Sequence, residues 1–159
     1  MIGCLRAVAL FIGAMFCQWW WNTHFAYWGA APQLLLVLTI LIAARRGPVL
    51  GMIAGFGWGL YLDVARAELF GASALTLTLA AYFAGAARRQ IDLRAVGPLA
   101  AMTFLLTVVV FLGHGLLGLA FTKSFEWSGW IATLLTPFLN AAAVIAAAFL
   151  WDARRDARP

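Results

Sequence analysis

Six apolar runs separated by short polar segments are the feature that most constrains how this chain can fold. A helix that spans a bilayer needs about 20 predominantly apolar residues, and several of the runs reach that length. The chain of 159 residues is 65% hydrophobic and 11% charged, whereas soluble domains are about 45–50% apolar and about 25% charged. We therefore predict an all-α integral membrane protein with six transmembrane helices in one compact bundle. The predicted spans are residues 5–21, 31–44, 48–62, 69–87, 96–121 and 127–151.

No connecting segment is long enough to fold separately, so residues 1–159 are predicted to form a single transmembrane domain. The second and third runs are short, and we expect them to recruit flanking residues or to lie in a thinned bilayer. A helix continuous through the third and fourth runs would be about 60 Å long, roughly twice the thickness of the hydrocarbon core. A turn is therefore expected between Asp63 and Gly71.

The basic residues indicate an orientation. In a six-span topology, Arg66 and Lys123 lie on one side of the membrane and the remaining Lys and Arg residues lie on the other. Because positive charge accumulates on the cytoplasmic side, both termini are predicted to be cytoplasmic. The net charge of +5 is thus explained by topology, and nucleic acid is not an expected partner. The residues on the cytoplasmic side are Arg6, Arg45, Arg46, Arg88, Arg89, Arg94, Arg154, Arg155 and Arg158.

Aromatic residues gather near the opposite, outer boundary. Trp and Tyr favour the membrane–water interface, because their rings have an apolar body and a polar edge. We expect such a belt here, with Trp151 at the inner boundary. Its outer members are Trp19, Trp20, Trp21, Tyr27, Trp28, Trp58, Tyr61, Trp127 and Trp130.

A stripe of glycines marks the third run. Gly47, Gly51, Gly55 and Gly59 recur at every fourth position, and the same step leads to Asp63. Positions four apart share one face of a helix, and small residues on such a face let helix backbones approach closely in lipid. Packing against a neighbouring span within the chain is the favoured interpretation. The alternative is a docking face for another membrane protein.

Three polar residues within or beside the spans have two interpretations each. A carboxylate in hydrocarbon indicates function by default, but Asp63 is expected at a hydrated helix end, as a cap or in an ion pair with Arg66. His114, between two glycines of the fifth run, could relay protons or bind a ligand. Asn140, after Pro137, could contribute to a binding site. For both residues we favour hydrogen bonding between helices.

Motifs for catalysis are not found. The sequence contains no glycine-rich phosphate loop before a lysine, no HExxH, no CxxC and no nucleophile elbow, which are the patterns that place catalytic or metal-binding groups. We therefore expect no enzymatic activity, no cofactor and no metal.

Residues 30–90, roughly, contain a proline that opens a span, a Gly-Phe-x-x-Gly-Leu-x-x-Asp segment and a Phe-Gly step. In these features the chain resembles the MreD family of bacterial rod shape-determining membrane proteins. Ala67 departs from the family pattern, which often has glycine four residues after the aspartate. The matching residues are Pro32, Gly55, Phe56, Gly59, Leu60, Asp63, Phe70, Gly71 and Tyr82.

The resemblance implies a non-enzymatic scaffold of the cell-elongation complex in the bacterial inner membrane. Its implied partners are an MreC-like periplasmic scaffold, a peptidoglycan glycosyltransferase–transpeptidase pair, membrane lipid and, indirectly, the actin-like MreB filament. The family's fold is similar to the substrate-binding subunits of energy-coupling-factor transporters. The alternative function is therefore a small-molecule-binding membrane subunit of a vitamin transporter, and an enzyme acting on lipids ranks last. The candidate packing or partner interface consists of Gly47, Gly51, Gly55, Gly59, Asp63 and Gly71.

Overall fold

The computed structural model describes residues 2–24, 31–66, 70–121, 123 and 129–156, and these residues form helices without any strand. The prediction of an all-α chain is therefore confirmed for this part of the sequence. The helices are α1 (Ile2–His24), α2 (Leu34–Arg46), α3 (Pro48–Arg66), α4 (Ala72–Ala87), α5 (Val96–Phe121) and α6 (Trp130–Asp156).

The helices differ in whether they are long enough to cross a membrane. Three segments in the described residues are sufficiently long and apolar: Pro48–Ala65 in α3, Val96–Phe121 in α5 and Thr133–Ala153 in α6. The apolar helix α4 is shorter, and α2 has only 13 residues, or about 20 Å at 1.5 Å per residue. The short second span expected from sequence is thus short in the structure as well.

Helix α2 lies at the centre of the bundle and contacts each of the other five helices. Most of its apolar side chains are almost fully buried and form much of the core, whereas Leu34, Leu38 and Ile42 are partly buried. Burial of a Leu or Ile side chain in a soluble protein contributes about 1.5–3 kcal/mol, but in lipid the same contacts act mainly through close packing. The most deeply buried apolar residues of α2 are Leu35, Leu36, Val37, Ile40, Leu41 and Ala43.

The glycines of α3 set its contact with α2. A Cβ atom added to Gly51 would lie 2.5 Å from the Cβ of Ala43, and one added to Gly55 would lie 3.0 Å from the methyl carbon of Thr39. Gly55 comes four residues after Gly51, whereas its neighbour Thr39 comes four residues before Ala43. The two helices are therefore antiparallel. Their backbones are as close as the absence of a side chain allows.

The next turns of the stripe contact α4. A Cβ at Gly55 would lie 2.9 Å from the backbone oxygen of Leu77, and a Cβ at Gly59 would lie 2.3 Å from the Cα of Ala74. Helices α3 and α4 are therefore also antiparallel, and α3 packs closely against both α2 and α4. We call the end of the bundle where α1, α3 and α5 finish the upper end, and the opposite end the lower end.

Trp58 is not part of an interfacial belt, and that prediction is wrong for this residue. Its side chain is 3% exposed, its ring stacks on Phe11 of α1 with centroids 5.1 Å apart, and its Nε1–H donates to the backbone oxygen of Phe11 at 3.2 Å. The indole N–H needs a polar partner when it is buried. A carbonyl of α1 supplies that partner, so Trp58 joins α1 to α3.

The lower end is held together by Arg45. Its Nη2 donates to Oδ2 of Asp152 in α6 at 2.8 Å, and its Nη1 donates to the backbone oxygen of Arg94 at 3.4 Å. Arg46 lies over the ring of Trp151, with Cζ 5.5 Å from the ring centroid, within the range of a cation–π interaction. These contacts tie the end of α2 to α6.

Candidate functional site

Asp63 is the centre of a buried polar site at the upper end. It lies one turn beyond Gly59, whose close approach to Ala74 brings the end of α3 against the start of α4. Gly71 precedes α4 with φ of 98°, in the left-handed region that glycine tolerates best. The chain can therefore turn back so that the first residues of α4 face the carboxylate.

The Asp63 carboxylate accepts hydrogen bonds from the backbone at the start of α4. Oδ1 accepts from the N–H of Ser73 at 2.8 Å, and Oδ2 accepts from the N–H groups of Gly71 at 3.0 Å and Ala74 at 3.1 Å. The first N–H groups of a helix have no partner within the helix. A negative charge there is also stabilised by the helix dipole. Asp63 thus caps α4 from another helix.

The environment of Asp63 differs from the hydrated helix end expected from sequence. Only 4% of the residue is exposed, because α3 and α4 are in contact on either side of it. The predicted capping role is what the hydrogen bonds show, but the cap belongs to α4 and not to α3. The proposed ion pair involves the side chain of Arg66, which lies outside the described part of the structure.

Gly47 departs from the predicted stripe. It lies between α2 and α3 with φ of 111°, a conformation that favours glycine. A Cβ there would lie 3.2 Å from Nη1 of Arg88. Gly47 therefore allows the turn between two helices, whereas Gly51, Gly55 and Gly59 form the helical stripe itself.

His114 lies beside the start of α4. Its Nε2 is 3.2 Å from Oγ of Ser73, and its Nδ1 is 3.1 Å from the backbone oxygen of Val110. Because a carbonyl oxygen can only accept, Nδ1 carries a proton and donates to Val110; in a neutral ring, Nε2 then accepts from the Ser73 hydroxyl. His114 thereby links α5 to α4, which is the role that the sequence favours for it.

The Ser73–His114 pair has the elements of a nucleophile and a base, but its surroundings favour a structural role. A nucleophilic serine needs a substrate beside it and free N–H donors to stabilise an oxyanion. Ser73 is buried, and the N–H groups of Ser73 and Ala74 already donate to Asp63. Nδ1 of His114 is bonded to a helix carbonyl and not to a carboxylate. Among the described residues, no three His, Cys, Asp or Glu side chains cluster as metal ligands.

A second polar site surrounds the start of α2. The buried side chain of Asn140 in α6 accepts from the N–H of Gln33 at 2.7 Å and donates to Oγ1 of Thr107 in α5 at 3.1 Å. From α1, Oε1 of Gln18 accepts from the N–H of Leu35 at 3.3 Å, and Nε2 donates to the backbone oxygen of Pro32 at 3.3 Å. Hydrogen bonding between helices, favoured for Asn140 from sequence, is the observed arrangement.

Both sites lie below the upper end of the long helices. Asn140 is ten residues after Trp130, where α6 begins, so it lies about 15 Å along that helix. His114 is seven residues before Phe121, where α5 ends, or about 10 Å from that end. The short helices α2 and α4 therefore start beside apolar stretches of α6 and α5 and not beside the upper ends of those helices. Their first N–H groups need protein partners, and Gln18, Asn140 and Asp63 supply them.

The structure brings some predicted residues together and separates others. Asp63 and Gly71 lie in one site, with Gly59 immediately beside it. Gly47 and Gly51 lie toward the lower end, and Asn140 belongs to the second site. Sequence analysis missed Gln18, Ser73 and Thr107. A lone amide within the first apolar run and a serine two residues after Gly71 were the available signals.

Long apolar helices with internally bonded polar groups define an α-helical membrane protein. Within that class, the chain belongs to the MreD family, because the family described as rod shape-determining protein MreD matches residues 2–151. The resemblance seen over residues 30–90 is thereby confirmed and extended to nearly the whole chain. Membership implies a role in rod shape determination within the Mre system. No curated protein and no solved structure matches the chain, and the likeness to transporter subunits stays a prediction.

Proposed function

We propose that this protein is a non-enzymatic scaffold of the bacterial cell-elongation complex. In this role it spans the inner membrane six times with both termini in the cytoplasm. It assembles or regulates the peptidoglycan synthesis machinery through an MreC-like scaffold and a glycosyltransferase–transpeptidase pair, and is linked indirectly to the MreB filament. The observation that carries the proposal is the match of the MreD family to residues 2–151.

The internal hydrogen bonding of the core supports a scaffold. Of the buried side-chain nitrogen and oxygen atoms in the described residues, only Nε of Arg45 has no hydrogen-bond partner. A pocket for a vitamin would instead be expected to present several converging polar groups to the ligand. The polar groups of both buried sites are occupied by bonds within the chain, which favours a role in holding helices together.

The glycine stripe contributes to assembly indirectly in this proposal. Gly51, Gly55 and Gly59 face α2 and α4 within the same chain, so a partner helix would have to displace one of these to reach them. We infer that the stripe fixes the position of α3, and that partners contact the exposed apolar surfaces of the outer helices. Substitutions in the stripe would then weaken partner binding indirectly, because they disturb the packing of α3 against α2 and α4.

Affinity purification of the tagged full-length chain from native membranes tests the proposal. The expected result is recovery of the MreC-like scaffold together with the wall synthases. Recovery of an ATPase coupling module without those proteins would overturn the proposal and favour the vitamin-transporter alternative. A chain carrying Leu134→Ala, at an exposed position of α6, provides a variant with a changed outer surface and an unchanged core for mapping the contact.

A further inference from the structure

An apolar groove separates the end of α4 from the first half of α5. It has a volume of about 420 Å³ and runs for about 10 Å along α5, from Met102 to Val109. Gln90, in the turn after α4, supplies a polar side chain at the lower end of the groove. Its other principal lining residues are Phe83, Ala86, Met102, Leu105 and Val109.

The turn at the polar end of this groove is positively charged. Arg89 and Arg94 are exposed there, and Asp92 is the acidic residue between them. Nη1 of Arg88 lies instead near Gly47, at the turn between α2 and α3. Oδ1 of Asp92 accepts from the backbone N–H of Arg94 at 3.0 Å, so its carboxylate is partly engaged by the turn itself. The groove therefore joins an apolar channel to a cationic rim.

We propose that the groove binds an anionic phospholipid from the adjacent leaflet. An acyl chain lies against Phe83, Leu105 and Val109, and the phosphate group faces the arginines of the turn. Guanidinium groups bind phosphate oxygens with paired, charge-assisted hydrogen bonds. One basic residue near an anionic membrane surface changes affinity by about fivefold, so the rim gives the site its preference for a negative headgroup.

The lining favours a lipid chain over a transmembrane helix of a partner. Close helix packing in lipid is favoured by a face of small residues, as α3 presents to its own neighbours. Most of the groove's lining consists of large flexible or aromatic side chains, and Ala86 and Ala87 are confined to the α4 wall near the turn. An acyl chain can follow such an uneven surface, and the charge at one end matches the single charged end of a phospholipid.

The experiment uses the full-length chain in phosphatidylcholine nanodiscs with a trace of spin-labelled phosphatidylglycerol. We expect the labelled anionic lipid to be motionally restricted by the protein more than spin-labelled phosphatidylcholine is. Ala86→Trp fills the groove and should reduce the restricted anionic fraction at least fivefold. Arg89→Gln should weaken binding of the anionic lipid about fivefold and leave phosphatidylcholine unchanged.

Two control variants distinguish the site from the general lipid surface. Ala120→Trp adds the same bulk at an exposed position near the upper end of α5, and Arg46→Gln removes an exposed charge beside Trp151. Both should retain wild-type binding of the anionic lipid. Equal lipid binding by the wild type and Ala86→Trp, or equal losses in Arg89→Gln and Arg46→Gln, would overturn the proposal. Displacement by millimolar inorganic phosphate would also overturn it, because the acyl chain would then contribute nothing.

Discussion

The amide oxygen of Asn140 accepts a hydrogen bond from the backbone N–H of Gln33 at 2.7 Å, across 107 residues of sequence. The ion pair between Arg45 and Asp152 spans the same separation. Helices α2 and α6 therefore run parallel and in register, joined by a neutral contact at the start of α2 and a charged contact at its end. Since α2 touches every other helix, these contacts fix the centre of the bundle.

Replacing Asn140 by leucine should destabilise the protein. The N–H of Gln33 would lose its acceptor, and an unsatisfied buried polar group costs about 1–3 kcal/mol. We expect a melting temperature in detergent several degrees below that of the wild type, followed by circular dichroism. Leu134→Ala, six residues earlier at an exposed position of α6, is the matched control and should melt near the wild type. Equal melting of N140L and wild type would show that another acceptor replaces the amide.

The loss of Asp63 should be more damaging than the loss of an exposed aspartate. Asp63→Ala leaves the N–H groups of Gly71, Ser73 and Ala74 without their acceptor, and the loss of a helix cap alone costs about 0.5–2 kcal/mol. Asp63→Asn should be more stable than Asp63→Ala but less stable than the wild type, because its amide keeps one acceptor oxygen and turns an NH₂ group toward the backbone donors. Hydrogen exchange at the start of α4 measures the effect.

Asp92→Ala serves as the control for that series. Asp92 is exposed and accepts one local backbone hydrogen bond, from Arg94. We expect less than about 0.5 kcal/mol of destabilisation, as for most surface substitutions. If exchange in α4 were as fast in D92A as in D63A, the proposed cap would not be what protects the start of that helix.

A single methyl group at Gly59 should separate α3 from α4. Its Cβ would lie 2.3 Å from the Cα of Ala74, so the backbones must move apart and lose contacts along their length. The matched control is Gly13→Ala in α1, where no atom lies within 4 Å of the added Cβ and where alanine is the better helix former by about 1 kcal/mol. The melting temperature should fall for G59A, and it should stay the same or rise for G13A. The reverse order would contradict the packing role.

The ion pair at the lower end should show a measurable coupling energy. The Arg45 side chain is 5% exposed and that of Asp152 is 48% exposed, so the pair is intermediate between surface pairs worth about 0–1 kcal/mol and buried pairs whose disruption costs about 3–5 kcal/mol. A double-mutant cycle of Arg45→Met and Asp152→Ala should give a coupling of about 1–2 kcal/mol. D152A should be the more damaging single change, because it leaves a buried guanidinium unpaired. A coupling near zero would mean that water replaces the carboxylate.

The sequence predicts local features of this fold better than it predicts the depth of each element. The bounds of α5 agree with the predicted run at 96–121, because that run is apolar throughout and the turn before it is charged. The start of α2 is three residues later than predicted. Its hydrogen-bond partners, Gln18 and Asn140, lie in α1 and α6 and leave no mark on the periodicity of residues 31–44.

The same limit applies to the polar residues. An aspartate after a helical glycine stripe is visible in the sequence, but the helix that it caps is not. The preference of indoles for the membrane–water interface predicts Trp58 in that zone. It is buried because α1 offers the carbonyl of Phe11 and an aromatic ring to stack on. Both outcomes depend on which helices become neighbours, and hydropathy does not specify neighbours.

The position of Asn140 has a consequence for biosynthesis. A ribosome must add 107 residues after Gln33 before the amide that accepts its N–H is made. A nascent chain that ends before α6 therefore holds the start of α2 at membrane depth with this polar group unmatched. Helix α2, at the centre of the bundle, is thus completed only once α6 has been made, and a chain truncated before α6 would carry an unmatched N–H group at Gln33.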